Sequence, residues 1–198
     1  MAASLGGLRA YSELLSALPG DFPLRVLLME HRSPSYDHLL VELLRKQTAL
    51  QVKAVRSGEI PRAGVVYVAP ADLQLVVTPA RRLRLTMPGA GMWPLPRCTA
   101  DPLFASVAAV YGARAIGVVL TGMSADGAIG VQAIKRIGGR VLVQDVRSSE
   151  AVQMPKCALA TGCSDFALPP KSLAHALISL VMVPGAAELF RVSARPWG

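Results

Sequence analysis

The chain has 198 residues, 52% of them hydrophobic and 17% charged, with a formal net charge of +8. That apolar content excludes a disordered chain, and apolar runs of four to eight residues fall short of the roughly 18 to 20 needed to span a bilayer. The basic balance suits an anionic partner, but aromatic residues make up only 5%, which argues against the interleaved aromatics of a nucleic-acid surface.

Leu8, Tyr11, Leu14, Leu15 and Leu18 recur at helical spacing, and Pro19-Gly20 stops that helix. Leu24 to Met29 is a short apolar run of the buried-strand kind. Leu39, Leu40, Leu43 and Leu44 mark a second helix over 35–48, and Gln51 to Val55 alternates as a strand. Runs at 65–69, 73–77 and 82–85 read as three strands separated by turn residues, which predicts an antiparallel section near residues 64–86. Residues 87–96 are broken by Pro and Gly and read as loop. From Asp101 the rhythm is helix (101–111), strand (115–120), helix (128–137), strand (140–143), helix (149–160) and a last helix (173–182). Strands alternating with helices predict an α/β fold: a mainly parallel, doubly wound sheet flanked by helices. One domain over 1–183 and a weakly patterned tail over 184–198 complete the organisation.

Cys98, Cys157 and Cys163 are odd in number and spaced for neither a zinc site nor a redox pair, so reduced thiols in a cytoplasmic protein are expected. The first residues have no basic n-region and no apolar h-region, so no secretory signal is read there. Neither a metal nor a cofactor is expected.

In a parallel α/β sheet, sites form beyond the carboxyl ends of the strands. Three such junctions carry residues of catalytic type. Ala3-Ser4-Leu5-Gly6-Gly7 leads into the first helix; Ser4 reads either as an N-cap or as a nucleophile on a tight turn. Glu30-His31-Arg32 follows the second apolar run, where His31 is either a structural residue or a general base. Leu120-Thr121-Gly122-Met123-Ser124-Ala125-Asp126-Gly127-Ala128 follows the 115–120 strand, where Asp126 is either a cap or the carboxylate that orients an imidazole. Each alone is open, but together they point to one Ser-His-Asp site. No GxSxG elbow is present, so the α/β-hydrolase superfamily is not indicated.

The 120–128 stretch resembles the LTGMGxDGA signature of the catalytic domain of chemotaxis receptor methylesterases, the CheB family. Gln144-Asp145, Ser148-Ser149, Met154-Pro155, residues 162–169, Val66 to Pro70 and Tyr111 to Ala115 match further family blocks in order, and Ala3 to Gly7 resembles the nucleophile motif A-S-T/A-G-G. The resemblance implies a serine hydrolase that demethylates receptor glutamyl methyl esters and releases methanol; deamidation of receptor glutamines is also known in the family. It implies Ser4 as nucleophile, His31 as base and acid, and Asp126 as the orienting carboxylate. Leu5, Gly122 and Met123 would lie near the oxyanion and substrate. The implied partner is the cytoplasmic domain of a methylated chemoreceptor, with a separate protein as a candidate regulator, since no receiver domain is read in the chain; neither nucleic acid nor membrane insertion is expected. A non-catalytic scaffold that keeps the fold is the alternative.

The sequence departs from the family pattern in four places. Only Met1-Ala2-Ala3 precedes Ser4, where the family has an apolar strand. Leu5 replaces Thr or Ala. Glu30 and Arg32 replace the Gln and Met that flank the His, and are expected as charges at the rim. Arg97-Cys98-Thr99-Ala100-Asp101 replaces R-P-S-V-D.

Overall fold

The structure, a computed structural model, describes residues 1–87 and 99–186. In chain order the elements are β1 (Ala2–Ala3), α1 (Gly7–Ser16), β2 (Arg25–Glu30), α2 (Asp37–Arg45), β3 (Gln51–Ala54), β4 (Val65–Val68), β5 (Gln74–Val77), β6 (Leu83–Thr86), α3 (Ala100–Tyr111), β7 (Ile116–Val119), α4 (Ala128–Arg136), β8 (Arg140–Gln144), α5 (Gln153–Ala160), β9 (Phe166–Leu168) and α6 (Pro170–Met182). Seven strands form one parallel sheet in the order β3-β4-β2-β1-β7-β8-β9, and β5 pairs with β6 antiparallel.

The two-residue alternation of each strand feeds two cores. Ala2, Met29, Tyr67, Val119, Val141 and Val143 face one side, with α3, α4, α5 and the β5–β6 hairpin. Ala3, Leu28, Val66, Val68, Leu120 and Leu142 face the other, with α1, α2 and α6. Covering both faces is what lets β4 and β8 read as nearly unbroken apolar runs.

The structure narrows the antiparallel section to β5 and β6. Val65–Val68 instead lies parallel between β2 and β3, because its four residues are all buried and only a strand covered on both faces satisfies that pattern. The helix expected from Ser149 begins at Gln153; residues before it are drawn to the β7–α4 loop through Gly122, whose N–H donates to Ala151 O at 2.8 Å. β9 carries only three residues, too few to announce a period. The loop expected over 87–96 lies almost wholly outside the described residues, as do Cys98 and most of the tail.

The central strand is the shortest in the sheet. β1 has two residues, and Met1 N donates to Leu27 O at 2.8 Å. Burial lowers this amine's pKa from 8.0 to about 5. A cavity of about 340 Å³ lies beside it, lined in part by Leu24, Leu27, Ile116 and Val118 of the flanking segments. Among the described residues no helix is long and apolar enough to cross a membrane.

Candidate active site

Three neighbouring strands, β2, β1 and β7, deliver the three residues. Ala3 of β1 is paired with Glu30 of β2, so the next step of the register sets Ser4 beside His31. His31 N–H donates to Ala3 O at 3.1 Å, and Ser4 N–H donates to Thr121 O at 2.9 Å. The Ser4 turn is thereby fastened to both flanking strands. Gly6 takes a left-handed φ of 80°, which a side chain would resist, and Gly7 N–H closes the turn on Ser4 O at 2.8 Å. Gly6 is the N-cap of α1 and no side chain bonds there. Ser4 is therefore not the N-cap of α1.

His31 and Asp126 meet: Nε2 and Oδ2 are 2.9 Å apart, with side chains 9% and 8% exposed. The approach lies off the axis of the ring N–H, so this is a close polar contact and not an aligned hydrogen bond. Asp126 is also a cap, though of α3 and not of the α4 helix it precedes. Its Oδ2 accepts Ala100 N–H at 2.7 Å and its Oδ1 accepts Asp101 N–H at 3.3 Å. Asp101 returns the favour to α4 by accepting Gly130 N–H at 2.7 Å. Burial raises the Asp101 pKa, and the nearby Asp126 charge pushes the same way. Among the described residues, Ser4 Oγ makes no hydrogen bond to His31. Two members of the constellation are joined, and the third stands beside them on the adjacent strand.

Gly122 lies against Ser4: a Cβ placed on it would fall 2.9 Å from Ser4 Cβ and 2.1 Å from Met154 Sδ. Its N–H is engaged by Ala151 O, so its part in the site is close approach and not oxyanion binding. Among the described residues, the N–H groups of Leu5 and Met123 have no protein acceptor and remain candidates for that task. Beneath them lies a polar support that the sequence reading quoted without giving it a role. Thr121 is buried; its N–H donates to Gln144 Oε1 at 2.9 Å and its Oγ1 donates to Leu5 O at 2.9 Å. A Thr and a Gln at the ends of two otherwise apolar strands were the available signal.

Glu30 and Arg32 correct the expectation of charges at the rim. Glu30 is 7% exposed, and the Arg32 side chain is 8% exposed and paired with Asp37 at 2.7 Å. Counting inward by twos from Leu28 puts Glu30 on the α1 side of the sheet, under the first turn of that helix. Burial there raises its pKa from 4.5 to about 7, against the opposing pull of Arg32 and of the nearby Leu8 N–H. Among the described residues no cluster of His, Cys, Asp and Glu could hold a metal ion.

The family model for the CheB methylesterase matches residues 1–177. The chain belongs to the CheB methylesterase family. The CheB methylesterase catalytic domain of Thermotoga maritima superposes with a TM-score of 0.85 at 29% identity, covering 91% of this chain and 96% of that one. A protein-glutamate methylesterase/protein-glutamine glutaminase of Moorella thermoacetica is 36% identical over 92% of this chain and 43% of its own length. The protein-glutamate methylesterase FrzG of Myxococcus xanthus is 37% identical over 92% of this chain and 54% of its own length. The chain thus spans about half the length of these curated relatives. Within this CheB-type fold exposed apolar side chains follow the strand ends that carry Ser4 and Asp126: Leu5 is 50% exposed, and Met123 and Ile129 are each 70% exposed. Leu5 adds there a larger side chain than the Thr or Ala of the family motif.

Proposed function

We propose that this chain is a serine esterase that hydrolyses glutamyl γ-methyl esters on the cytoplasmic domain of chemoreceptors, with Ser4 as nucleophile, His31 as base and acid, and Asp126 as the orienting carboxylate. The observation that carries the reading is the buried His31–Asp126 contact at 2.9 Å beside Ser4 on the adjacent strand. Asp126 engages Nε2, which leaves Nδ1 as the nitrogen that exchanges a proton with Ser4.

In the reaction Ser4 Oγ adds to the ester carbonyl while His31 takes its proton. Leu5 and Met123 N–H receive the oxyanion. The C–OCH₃ bond breaks, His31 returns the proton to the leaving oxygen, and methanol departs, leaving an acyl-Ser4 ester. Water attacks that ester by the same route, and the glutamate and Ser4 are regenerated. A glutamine side chain would follow the same path with ammonia as leaving group. Among the described residues Ser4 and His31 share no hydrogen bond, and such bonds commonly tighten only in the Michaelis complex. The apolar rim of Leu5, Met123 and Ile129 suits a protein surface better than a free amino-acid ester. Residues 1–183 form the catalytic unit on this reading, acting in the cytoplasm where the receptor's methylated domain lies.

The test is methanol release from methylated receptor membranes. Ser4→Ala is expected to lower the rate by at least about 10³-fold. Equal release by wild type and Ser4→Ala would sink the proposal.

A further inference from the structure

We infer that Glu30 is a positioning residue for the nucleophile turn and an electrostatic brake on it: its carboxyl holds the first turn of α1, and its anionic form opposes the oxyanion that forms at Ser4. The inference rests on the esterase reading of Ser4 and goes beyond it.

The geometry comes first. Glu30 is the last residue of β2 and is buried on the α1 side of the sheet. Its Oε1 lies so close to the helix that a Cβ on Gly7 would be 2.2 Å from it. The Leu8 N–H is near enough to the carboxyl to favour its charged form. The first turn of a helix has N–H groups without intrahelical partners, and here the Gly6 cap offers no side chain to meet them. Glu30 does so from a neighbouring strand. The turn it steadies contains Leu5 and begins at Ser4.

The electrostatics follow from that position. The N-terminus of α1 carries partial positive charge, and it adjoins the place where negative charge develops in the transition state. A neutral carboxyl leaves that field intact. A carboxylate at the same spot cancels part of it. The charged groups around Glu30 do not remove this effect. Arg32, two residues on, is already paired with Asp37 and donates to Ala69 O. His31 is paired with Asp126. Glu150, which packs on Gly6, adds a second acidic group to the same helix end. Arg9 of α1 is turned outward onto Glu13. Burial sets the ionisation of Glu30 near neutrality, so both forms are populated where an esterase works.

The experiment compares wild type and Glu30→Gln between pH 6 and pH 9, with methyl-ester turnover and fluorophosphonate labelling of Ser4 as readouts. Gln keeps an oxygen for Leu8 N–H but never ionises. The two proteins are expected within about twofold at pH 6, and Glu30→Gln about five- to tenfold faster in kcat above pH 8, the scale of a charge at a helix end. A residue with only a structural role would shift both rates equally at every pH. Parallel profiles, or a slower Glu30→Gln at high pH, would overturn the inference. A wild type that is labelled at Ser4 but hydrolyses no methyl ester overturns the substrate reading alone, and the labelling profiles then decide the role of Glu30. In wild type, the Leu8 amide resonance is expected to titrate with a midpoint near neutral pH and to be flat in Glu30→Gln; a flat wild-type titration overturns the inference even if the variant does not fold.

Discussion

Asp126 does two things with one carboxylate. It meets His31 Nε2 and it accepts the N–H groups of Ala100 and Asp101 at the start of α3. Asp126→Asn separates the two. The amide can still accept an N–H from α3, so the cap is largely kept, with a loss of about 1 kcal/mol from the missing charge. It can no longer fix the imidazole tautomer or stabilise the imidazolium, and kcat is expected to fall by about 10³- to 10⁴-fold. Steady-state kinetics beside a urea melt measure both. A variant with unchanged kcat would remove Asp126 from the chemistry and leave it as a cap. The sequence alone could offer these as rival readings, because one residue at a strand-to-helix junction serves either. In the structure the carboxylate both contacts His31 and caps a helix, and the capped helix starts 26 residues upstream. The burial of Glu30 is hidden in the sequence for a related reason. Charged residues are rarely buried, so a Glu beside the His reads as rim until the strand's parity is counted against Ala3.

At the scale of elements, α3 and α4 are tied by an exchange of caps: Asp126, just before α4, serves α3, and Asp101, in the first turn of α3, serves Gly130 of α4. Gly130 also lets the helices close up, since a Cβ there would meet Phe104 Cβ at 2.7 Å. The exchange makes the placement of Asp126, the proposed orienting carboxylate, depend on a helix that contributes none of the three proposed catalytic side chains. Asp101→Ala should therefore cost about 1–2 kcal/mol of stability and also lower kcat, with KM little changed, because α4, which begins just after Asp126, loses its tie to α3. Urea denaturation and kinetics on one preparation test this; a stability loss with intact kcat would show that α3 does not position Asp126. Most of these elements were legible from apolar spacing: α1, β2, α4 and β8 lie within one or two residues of their expected bounds. The exchange of caps was not. It links residues distant in sequence, and an Asp in a first turn announces a cap without naming the helix it caps. The parallel placement of β4 was hidden in the same way, since a short apolar run between turns fits either a hairpin or a buried parallel strand.

Across the whole molecule, two buried groups on the adjacent central strands pull stability in opposite directions as pH changes. The Met1 amine has a folded pKa of about 5 against an ordinary 8.0. Between these values the unfolded chain binds a proton that the folded chain does not, so stability rises with pH over that window, by about 4 kcal/mol in all for a chain beginning at Met1. Glu30 has a folded pKa of about 7 against an ordinary 4.5. Here the folded chain holds the extra proton, so stability falls as pH rises through that window, by about 3 kcal/mol. From pH 5 to pH 7 the two slopes nearly cancel, and between pH 7 and pH 8 the amine alone remains. Glu30→Gln removes one slope and exposes the other. Urea midpoints at pH 5.5, 6.5 and 7.5 should be nearly level at the first two values in wild type, while the variant should climb steadily through all three and exceed wild type most at pH 7.5. A variant that tracks wild type would mean that Glu30 is ionised without cost inside the fold. That result would also leave the brake on the Ser4 turn engaged at every pH tested and remove its switching near neutrality, so the stability measurement and the kinetic one test the same buried carboxyl by independent routes.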